Sequence, residues 1–275
     1  MVKRRPPVRL STGQAPSNLL LAALPAADYA RLVPSLATTP LKVQERIHKP
    51  GEAVRDVYFP GDGFCSVLTV LEDGTMVEVA TIGREGAVGV SALFDGDGTA
   101  SRSLSMVQAA ATTCYRLPVA VFRQEMDRRG AFYELLTRYT QALVGLIMQS
   151  TACNAVHTVE QRLARWFLMA HDRVGTDSFP LTQEFVAMML GVARPTVTLV
   201  AGTLQKAGLI TYQRGHVTVL DREKLEAASC ECYRTVAGLL NRVTSGRRTT
   251  SKPRRFTEST DRTGVSRRPS RRAVR

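Results

Sequence analysis

Apolar residues recur at three- and four-residue spacing in two short runs between positions 181 and 210. This spacing predicts two short helices, each with one buried face. Thr182 is a suitable N-cap for the first helix, and Gly191 ends it because glycine accepts the positive φ of a helix C-cap. The second helix begins near Arg194, with Pro195 tolerated in its first turn. The predicted buried positions are Phe185, Val186, Met189 and Leu190 in the first helix and Val197, Val200, Ala201 and Leu204 in the second.

Two short β runs follow this helical pair, separated by Arg214 and Gly215, and the second runs from Val217 to Leu220. A helix-turn-helix followed by such a tight hairpin is the winged-helix arrangement, in which the second helix enters a major groove of DNA. A helical hairpin that only packs against the rest of the fold is the alternative interpretation. The β hairpin that follows favours the winged helix.

Upstream of this module, from about residue 41 to residue 117, the pattern changes to short β runs with turn residues between them. The dipeptide Asp73-Gly74 is a strong hairpin signal between two of these runs. Several short strands at this spacing predict a small antiparallel barrel or a cupin-like jelly roll. The predicted strands span residues 57–60, 64–70, 76–82, 107–109 and 112–117.

Helical periodicity predicts a long helix from about residue 131 to residue 158, between the roll and the winged helix. Its apolar residues occupy more than one stripe, which predicts packing on the roll and on a second helix. A copy of itself in a two-fold dimer is the favoured partner, and a helix of the same chain is the alternative. Shorter helices are predicted within residues 18–36, 118–126, 160–172 and 222–241, the last of them capped by Asp221.

These elements together predict an α+β fold with a β-roll, a long dimerisation helix and a C-terminal winged helix-turn-helix. Both ends of the chain are polar, basic and aperiodic, a composition that cannot bury a core and predicts disorder. The predicted segments are a disordered N-terminus (1–17), the β-roll effector domain (18–130), the connecting helix (131–158), the DNA-binding domain (159–244) and a disordered tail (245–275).

The formal net charge of +13 suggests nucleic acid as a partner, but the charge lies at the ends of the chain. Residues 1–9 carry +4 and residues 246–275 carry +9, so that residues 10–245 have no net charge. DNA binding is therefore predicted from the helix-turn-helix alone. The two basic ends are expected to add only sequence-independent affinity, and an inert disordered extension is an equally good interpretation of the C-terminal one.

The five cysteines are Cys65, Cys114, Cys153, Cys230 and Cys232. An odd number without paired spacing does not indicate a disulfide framework. Cys230-Glu-Cys232 is the one close pair, and a lone C-x-C is a weak metal signal, so ordinary thiols are favoured over a metal or redox role. The four histidines lie far apart along the chain. The sequence therefore predicts no metal site.

Other classes of protein are disfavoured by what the sequence lacks. It contains no nucleophile elbow, P-loop or dinucleotide fingerprint, so that neither an enzymatic activity nor a cofactor is expected. No apolar run approaches the roughly 20 residues of a membrane span. The N-terminal segment MVKRRPPVRL lacks the apolar core and cleavage site of a secretory signal. A cytoplasmic protein with no membrane partner is expected.

The candidate DNA contacts lie on the helix-turn-helix and on the wing. Arg194 can read a guanine through two hydrogen bonds. Threonines of the second helix can contact a phosphate or a thymine methyl group, and polar residues at the start of the first helix are placed for phosphates. For Lys206 a solvated lysine is an equally good interpretation. The predicted contacts are Thr182, Gln183, Arg194, Thr196, Thr198, Lys206, Arg214 and His216.

Over roughly residues 40–225 the chain resembles the Crp/Fnr family of bacterial transcription regulators. The resemblance rests on VYFPGDGFCSVLTVLEDGTMVEVATIGREGAVGVSALF in the roll, which looks like the family's cyclic-nucleotide-binding-like effector domain. It rests more specifically on LTQEFVAMMLGVARPTVTLVAGTLQKAGLI in the DNA-binding module. The resemblance implies a homodimer that binds double-stranded DNA, couples an effector to the orientation of the recognition helix and has RNA polymerase as a partner.

The effector cassette of the family falls on Gly89, Val90 and Ser91, with Arg102 and Ser103 matching its phosphate-binding pair. Val90 replaces the glutamate that holds the ribose in nucleotide-binding members. The positions on the long helix that offer hydroxyl groups to the adenine are here Ile147 and Met148. Each lost polar partner costs about 1–3 kcal/mol. Neither cyclic AMP nor cyclic GMP is therefore expected to bind, and the effector is unknown. The N-terminal cysteine cluster of the iron–sulfur members is absent as well.

The recognition helix also departs from the family pattern, since Pro195 and Leu199 replace its glutamate and its second arginine. The best-known DNA site of the family is therefore not assumed. The favoured function is a sequence-specific transcription regulator with a degenerate or altered effector site. The alternative is a signalling or interaction protein whose roll binds a ligand or partner and whose winged helix makes protein contacts.

Overall fold

A computed structural model describes residues 8–9, 15–93, 101, 103–109 and 111–245. The N-terminal half contains two four-stranded sheets with strand orders β1-β2-β8-β4 and β3-β7-β5-β6, and all pairings are antiparallel. The strands are β1 (Val8–Arg9), β2 (Ala37–Leu41), β3 (Arg46–His48), β4 (Asp56–Pro60), β5 (Phe64–Val70), β6 (Met76–Ile82), β7 (Leu104–Ala109) and β8 (Ala111–Pro118).

Apolar residues that alternate along the strands of both sheets meet between them, and this packing forms the predicted roll. Phe59 and Leu117 from the first sheet share one buried core with Leu68 and Leu104 from the second. The Asp73-Gly74 hairpin signal is confirmed, because β5 and β6 pair directly and the Asp73 carboxylate accepts a hydrogen bond from the Thr75 amide at 2.8 Å. The predicted α+β class with its antiparallel roll is confirmed.

Nine helices lie among the residues that the structure describes, together with two short 3-10 turns at Val33–Ser35 and Val90–Leu93. A third sheet, three-stranded with order β10-β11-β9, follows the long helices. The helices are α1 (Leu19–Ala22), α2 (Ala26–Leu32), α3 (Val119–Asp127), α4 (Ala131–Val156), α5 (Val159–Val174), α6 (Gln183–Leu190), α7 (Arg194–Lys206), α8 (Arg222–Ala228) and α9 (Cys232–Thr244), and the strands are β9 (Ser178–Pro180), β10 (Ile210–Gln213) and β11 (His216–Val219).

Two expectations need correction. The N-terminus was expected to be disordered throughout, but Val8–Arg9 pairs with β2, because the backbone at a sheet edge can pair with a segment of almost any sequence. The other residues of that segment before Ala15, and the tail after Ser245, lie outside the described range. The single helix predicted after Asp221 is two helices, since Ser229 leaves helical geometry at the end of α8. Strands β2, β3 and β9, of three to five residues each, were not predicted.

The long helix α4 packs on β6 and on α9 of the same chain. Gly145 allows the close approach of α9, because a Cβ atom there would lie 3.2 Å from Leu239. The intrachain alternative for the second helix is therefore realised on one face of α4. Val144, Met148 and Val156 of α4 remain exposed, and Val144 and Met148 share one stripe of the helix.

Helix α5 joins the roll to the DNA-binding module. Trp166 is buried as expected for a core residue, and its indole N–H donates to Glu78 of β6 at 2.9 Å. Arg173 is 2.7 Å from Glu85 in an ion pair of which both side chains are largely buried. These contacts fix the orientation of α5 against the roll.

Among the described residues, no single helix is long and apolar enough to cross a membrane. Only the α6–α7 pair passes that test by length and composition, and it is bent by 104°.

Candidate nucleic-acid interface and effector region

The helix-turn-helix forms as its local sequence predicts. The Thr182 hydroxyl caps α6 by accepting a hydrogen bond from the Phe185 amide at 3.3 Å. Gly191 ends α6 at φ +62, a backbone conformation that glycine adopts without strain. The axes of α6 and α7 then enclose a bend of 104°, within the range typical of DNA-binding helix-turn-helix units.

One face of α7 is buried and the opposite face is exposed. Val197, Ala201 and Leu204 pack into the core through helical spacing. The exposed face carries two of the predicted contacts at its N-terminal end, Arg194 and Thr198, whereas Thr196 is half-buried. Lys206 is exposed at the far end of α7, about 18 Å from Arg194 at 1.5 Å per residue, so that the structure does not bring these two together.

A polar network crosses the turn between α6 and α7. Arg194 forms an ion pair with Glu184 at 2.7 Å, and the Thr198 hydroxyl donates to the Gln183 side-chain oxygen at 2.7 Å. Glu184 was not predicted from the sequence. It lies in the first turn of α6, and the 104° bend between the two helices brings it next to the start of α7. Both contacts link the first turn of α6 to the N-terminal end of α7.

The wing is a two-residue hairpin. Arg214 and Gly215 have φ values of +49 and +77, and Gln213 pairs with His216, as in a type I′ turn. The Leu181 amide donates to the Gly215 carbonyl at 2.6 Å, which places the wing turn beside the N-terminus of α6. Arg214 and His216 are exposed on this surface with Thr182.

The effector cassette offers few polar groups. Val90 is buried in the apolar core and Ser91 is exposed, so these two neighbours do not form one polar surface. The Ser103 amide donates to the Ser101 hydroxyl at 3.3 Å, and the same hydroxyl donates to the Ser103 carbonyl at 2.7 Å. Arg102 lies outside the described residues. Of the two long-helix positions, Ile147 packs against the core and Met148 is exposed.

His48 occupies the space next to Gly89. A Cβ atom at Gly89 would lie 2.7 Å from the His48 ring, and the His48 ring N–H donates to the Asp56 carbonyl at 3.0 Å. Burial lowers the pKa of His48, and the hydrogen bond to Asp56 opposes that shift. An open cleft of about 600 Å³ is lined by Ile47, His48, Glu52, Ala53, Arg55, Asp56 and Tyr58. Sequence reasoning did not identify this cleft.

A second titratable group lies between the roll and α5. The Glu78 carboxylate accepts hydrogen bonds from the Ser66 hydroxyl and from the Trp166 indole. Burial raises the pKa of Glu78 to about 7, and these two hydrogen bonds and the positive charges of Arg165 and Arg173 offset the effect only in part.

Three of the cysteines that seemed scattered along the sequence lie together. Cys153 Sγ is 3.5 Å from Cys230 Sγ, and Cys232 Sγ is 3.6 Å from His157 Nδ1. All four potential ligand atoms lie within 4.8 Å of one another. The sequence could not reveal this group, because helices α5 to α8 separate its two halves along the chain.

Comparisons with known proteins agree with both halves of the fold. The sequence model described as "Cyclic nucleotide-binding domain" matches residues 39–129, and the one described as "Crp-like helix-turn-helix domain" matches residues 161–228. The two matches together cover more than half of the chain. No curated protein matches the chain in sequence.

Solved structures share the fold at low sequence identity. A protein of Eubacterium rectale assigned to the Crp/Fnr family aligns with a TM-score of 0.61 at 18% identity, over 76% of this chain and 96% of its own. FixK2 from Bradyrhizobium japonicum aligns with a TM-score of 0.60 at 14% identity, over 71% and 98%. CLP, a c-di-GMP-responsive global regulator of Xanthomonas campestris, aligns with a TM-score of 0.58 at 14% identity, over 71% and 99%.

Proposed function

The chain belongs to the Crp/Fnr family of transcriptional regulators, and we propose that it acts as a homodimer that binds specific sites in double-stranded DNA. The observation that carries this proposal is the exposed N-terminal half of α7, with Arg194 oriented by Glu184 and the wing turn close to the start of α6. A face of this kind serves a recognition helix in the major groove. The protein then acts on DNA in the cytoplasm and is not an enzyme.

We assign base reading to α7. Arg194 can donate two hydrogen bonds to the O6 and N7 atoms of a guanine. Leu199, whose side chain is 73% exposed, is suited to contact a thymine methyl group. Leu199 and Arg194 both lie on the exposed face of α7.

Phosphate contacts are assigned to the periphery of this face. Thr182, Gln183 and the wing residues Arg214 and His216 can contact the backbone and set the register of α7. Such contacts are sequence-independent and add affinity that falls with salt. Thr196, half-buried, and Lys206, at the far end of α7, are assigned secondary roles.

The exposed stripe of α4 supports the dimer. Val144, Met148 and Val156 are 51%, 68% and 77% exposed, an unusual exposure for large apolar side chains on a helix between two domains. Val144 and Met148 are one turn apart and continue toward the small residues Thr151 and Ala155 at heptad-like spacing. A second copy of α4 along this stripe would bury them and hold two recognition helices on paired half-sites.

The effector region supports a regulator that does not respond to cyclic AMP. Val90 lies in the core, where the family places a ribose-binding carboxylate, and no polar group replaces it among the described residues of the cassette. Control then comes from another ligand, from partner contacts such as RNA polymerase, or from abundance.

Selection of bound fragments from random DNA with the purified dimer tests the proposed function. A two-fold symmetric consensus that Arg194→Ala weakens at one base pair per half-site is expected. The alternative is a signalling protein whose winged helix binds proteins. Fluorescence anisotropy with the selected site, over a range of salt concentrations, distinguishes the two, because the alternative predicts only weak binding without sequence preference.

A further inference from the structure

We propose that Cys153, His157, Cys230 and Cys232 form a site for one divalent transition-metal ion, with Zn²⁺ as the preferred ion. Four ligands of the Cys₃His type are a common tetrahedral zinc set. With Zn–S distances of about 2.3 Å, tetrahedral geometry separates the ligand atoms by about 3.8 Å. The separations of 3.5 Å between the Cys153 and Cys230 sulfurs and 3.6 Å between Cys232 and His157 are close to this value.

Backbone geometry places the ligands without strain. Cys153 and His157 are four residues apart at the end of α4, so that one helical turn presents both side chains to the same side. Cys230 and Cys232 flank Glu231 where the chain leaves α8 and enters α9. The break between these two helices, which apolar periodicity did not predict, is what brings both sulfurs to α4.

Surrounding groups orient the ligands as in known metal sites. His157 Nε2 lies 3.2 Å from the Glu231 carboxylate, so that Nδ1 is left to face the sulfurs. A carboxylate behind a metal-binding histidine fixes its tautomer and raises its basicity. The Gln149 side-chain amide donates to Cys232 Sγ at 3.0 Å, which stabilises a thiolate at that position.

Charge balance gives an independent argument. Three thiolates and one Zn²⁺ carry a net charge of −1. Arg165 is buried, and its Nε and Nη1 atoms have no hydrogen-bond partner among the described residues. Its positive charge lies near both Cys153 and the Glu78 carboxylate. An anionic metal centre would add to the compensation that Glu78 gives this buried guanidinium, whereas three neutral thiols would not.

The distances between the ligand atoms fit a single metal ion and are too short for a metal cluster. All four ligand atoms lie within 4.8 Å of one another, which leaves room for a single ion at their centre. An iron–sulfur cluster inserts several atoms between its cysteine sulfurs and needs a wider set. Hard cations such as Mg²⁺ prefer oxygen ligands, so a soft or borderline ion is the chemical class that this site takes.

The position of the site gives it a structural consequence. His157 is one of the two residues between α4 and α5, where the dimerisation helix meets the DNA-binding module. Cys230 and Cys232 lie at the far end of that module. A bound ion would fasten the two together. Any effect on operator affinity rests on the proposed DNA-binding function, but metal binding itself does not.

Metal analysis of the full-length protein, purified without chelator, tests the site. One zinc per chain is expected, with loss of the metal in Cys232→Ser and in His157→Gln. Cys114→Ser is the matched control, because Cys114 is also fully buried but lies in the roll, and it should keep its metal. Equal metal content in all four proteins, or a wild-type protein without metal, would overturn the proposal.

Cobalt titration of the chelator-treated wild-type protein covers the case in which the variants fail to fold. At one equivalent of Co²⁺ we expect the d–d bands of tetrahedral cobalt together with a thiolate-to-cobalt charge-transfer band. We also expect the melting temperature to rise when Zn²⁺ is added. Octahedral cobalt spectra, or a Cys153–Cys230 disulfide in alkylated peptides of freshly purified protein, would contradict the site. DNA binding enters neither measurement, so failure of the proposed function would be recognised separately.

Discussion

Arg194, the first residue of the recognition helix, forms a 2.7 Å ion pair with Glu184 in the first turn of the preceding helix. Both side chains are more than half exposed, so water screens the pair and its contribution to stability is small, about 0–1 kcal/mol. The pair holds the guanidinium where DNA would approach, but it also places a carboxylate there. Glu184 must therefore release Arg194 when the arginine reads a base.

Replacing Glu184 by glutamine should tighten binding to DNA, because it removes a negative charge from the interface and frees the guanidinium. We expect an affinity gain of about fivefold, which corresponds to roughly 1 kcal/mol, with little change in melting temperature. Fluorescence anisotropy on the selected site measures the gain. Glu72→Gln, at an exposed position on the roll hairpin, is the control. An equal gain in the control would show that only net charge matters.

Removing the guanidinium should have the opposite effect. Arg194→Ala is expected to lose about 1–3 kcal/mol on the preferred site and to relax selectivity at one base pair per half-site. Affinity for random DNA should change much less, because on such DNA Arg194 contributes only one positive charge near the phosphates and no base contact. Competition binding with operators mutated at single positions checks this result. Unchanged selectivity would show that α7 does not read bases through Arg194.

The wing gives a different signature. Arg214 adopts φ +49, a left-handed conformation that asparagine tolerates better than arginine. Arg214→Asn should therefore fold with equal or slightly higher stability. It should weaken binding to all DNA sequences alike and reduce the salt slope by about one unit. Anisotropy titrations at several salt concentrations, together with thermal melting, measure both effects. A loss restricted to one base pair would assign Arg214 to base reading instead.

Local signals in the sequence were sufficient for the DNA-binding module. Thr182, Gly191 and Gly215 act within a few residues of themselves, through caps and a tight turn, and all three appear as predicted. Contacts between distant segments were not accessible in this way. Cys153 and Cys230 are 77 positions apart, and neither has a neighbour whose pattern points to the other.

The long helix shows an intermediate case. Two apolar stripes on α4 could be read from the sequence, but their partners could not, because periodicity records that a face is buried and not what covers it. The structure assigns one face to α9 through the approach of Leu239 to Gly145. The stripe with Val144 and Met148 is left for the predicted dimer.

A charge on that stripe tests the dimer. Met148→Glu places a carboxylate at a side chain that is 68% exposed in the single chain, so the fold of each chain should be unaffected. In a dimer the two carboxylates would approach each other in an apolar interface, and we expect dissociation at micromolar concentration. Analytical ultracentrifugation measures the mass. Arg138→Glu, exposed on the same helix, is the control. A wild-type mass for Met148→Glu would exclude this stripe as the interface.

Glu78 lies at the contact between the roll and α5. Its pKa of about 7 in the fold lies above the ordinary value of 4.5, because burial disfavours the charged carboxylate. The folded protein therefore holds this proton more tightly than the unfolded chain does. By linkage, the free energy of unfolding falls as pH rises from about 4.5 to about 7 and is constant above, with a total change of about 3 kcal/mol.

Glu78→Gln should remove this dependence, since the amide keeps an oxygen for the Trp166 indole and never ionises. At pH 8 the variant should melt at a higher temperature than the wild type, and below pH 5 the two should melt alike. Thermal unfolding followed by circular dichroism across this range gives the comparison, with Glu72→Gln as an exposed control. Equal destabilisation of Glu78→Gln at both pH values would contradict this prediction. The carboxylate would then contribute through its hydrogen bonds to Ser66 and Trp166, and its charge would not limit the contact between the roll and α5.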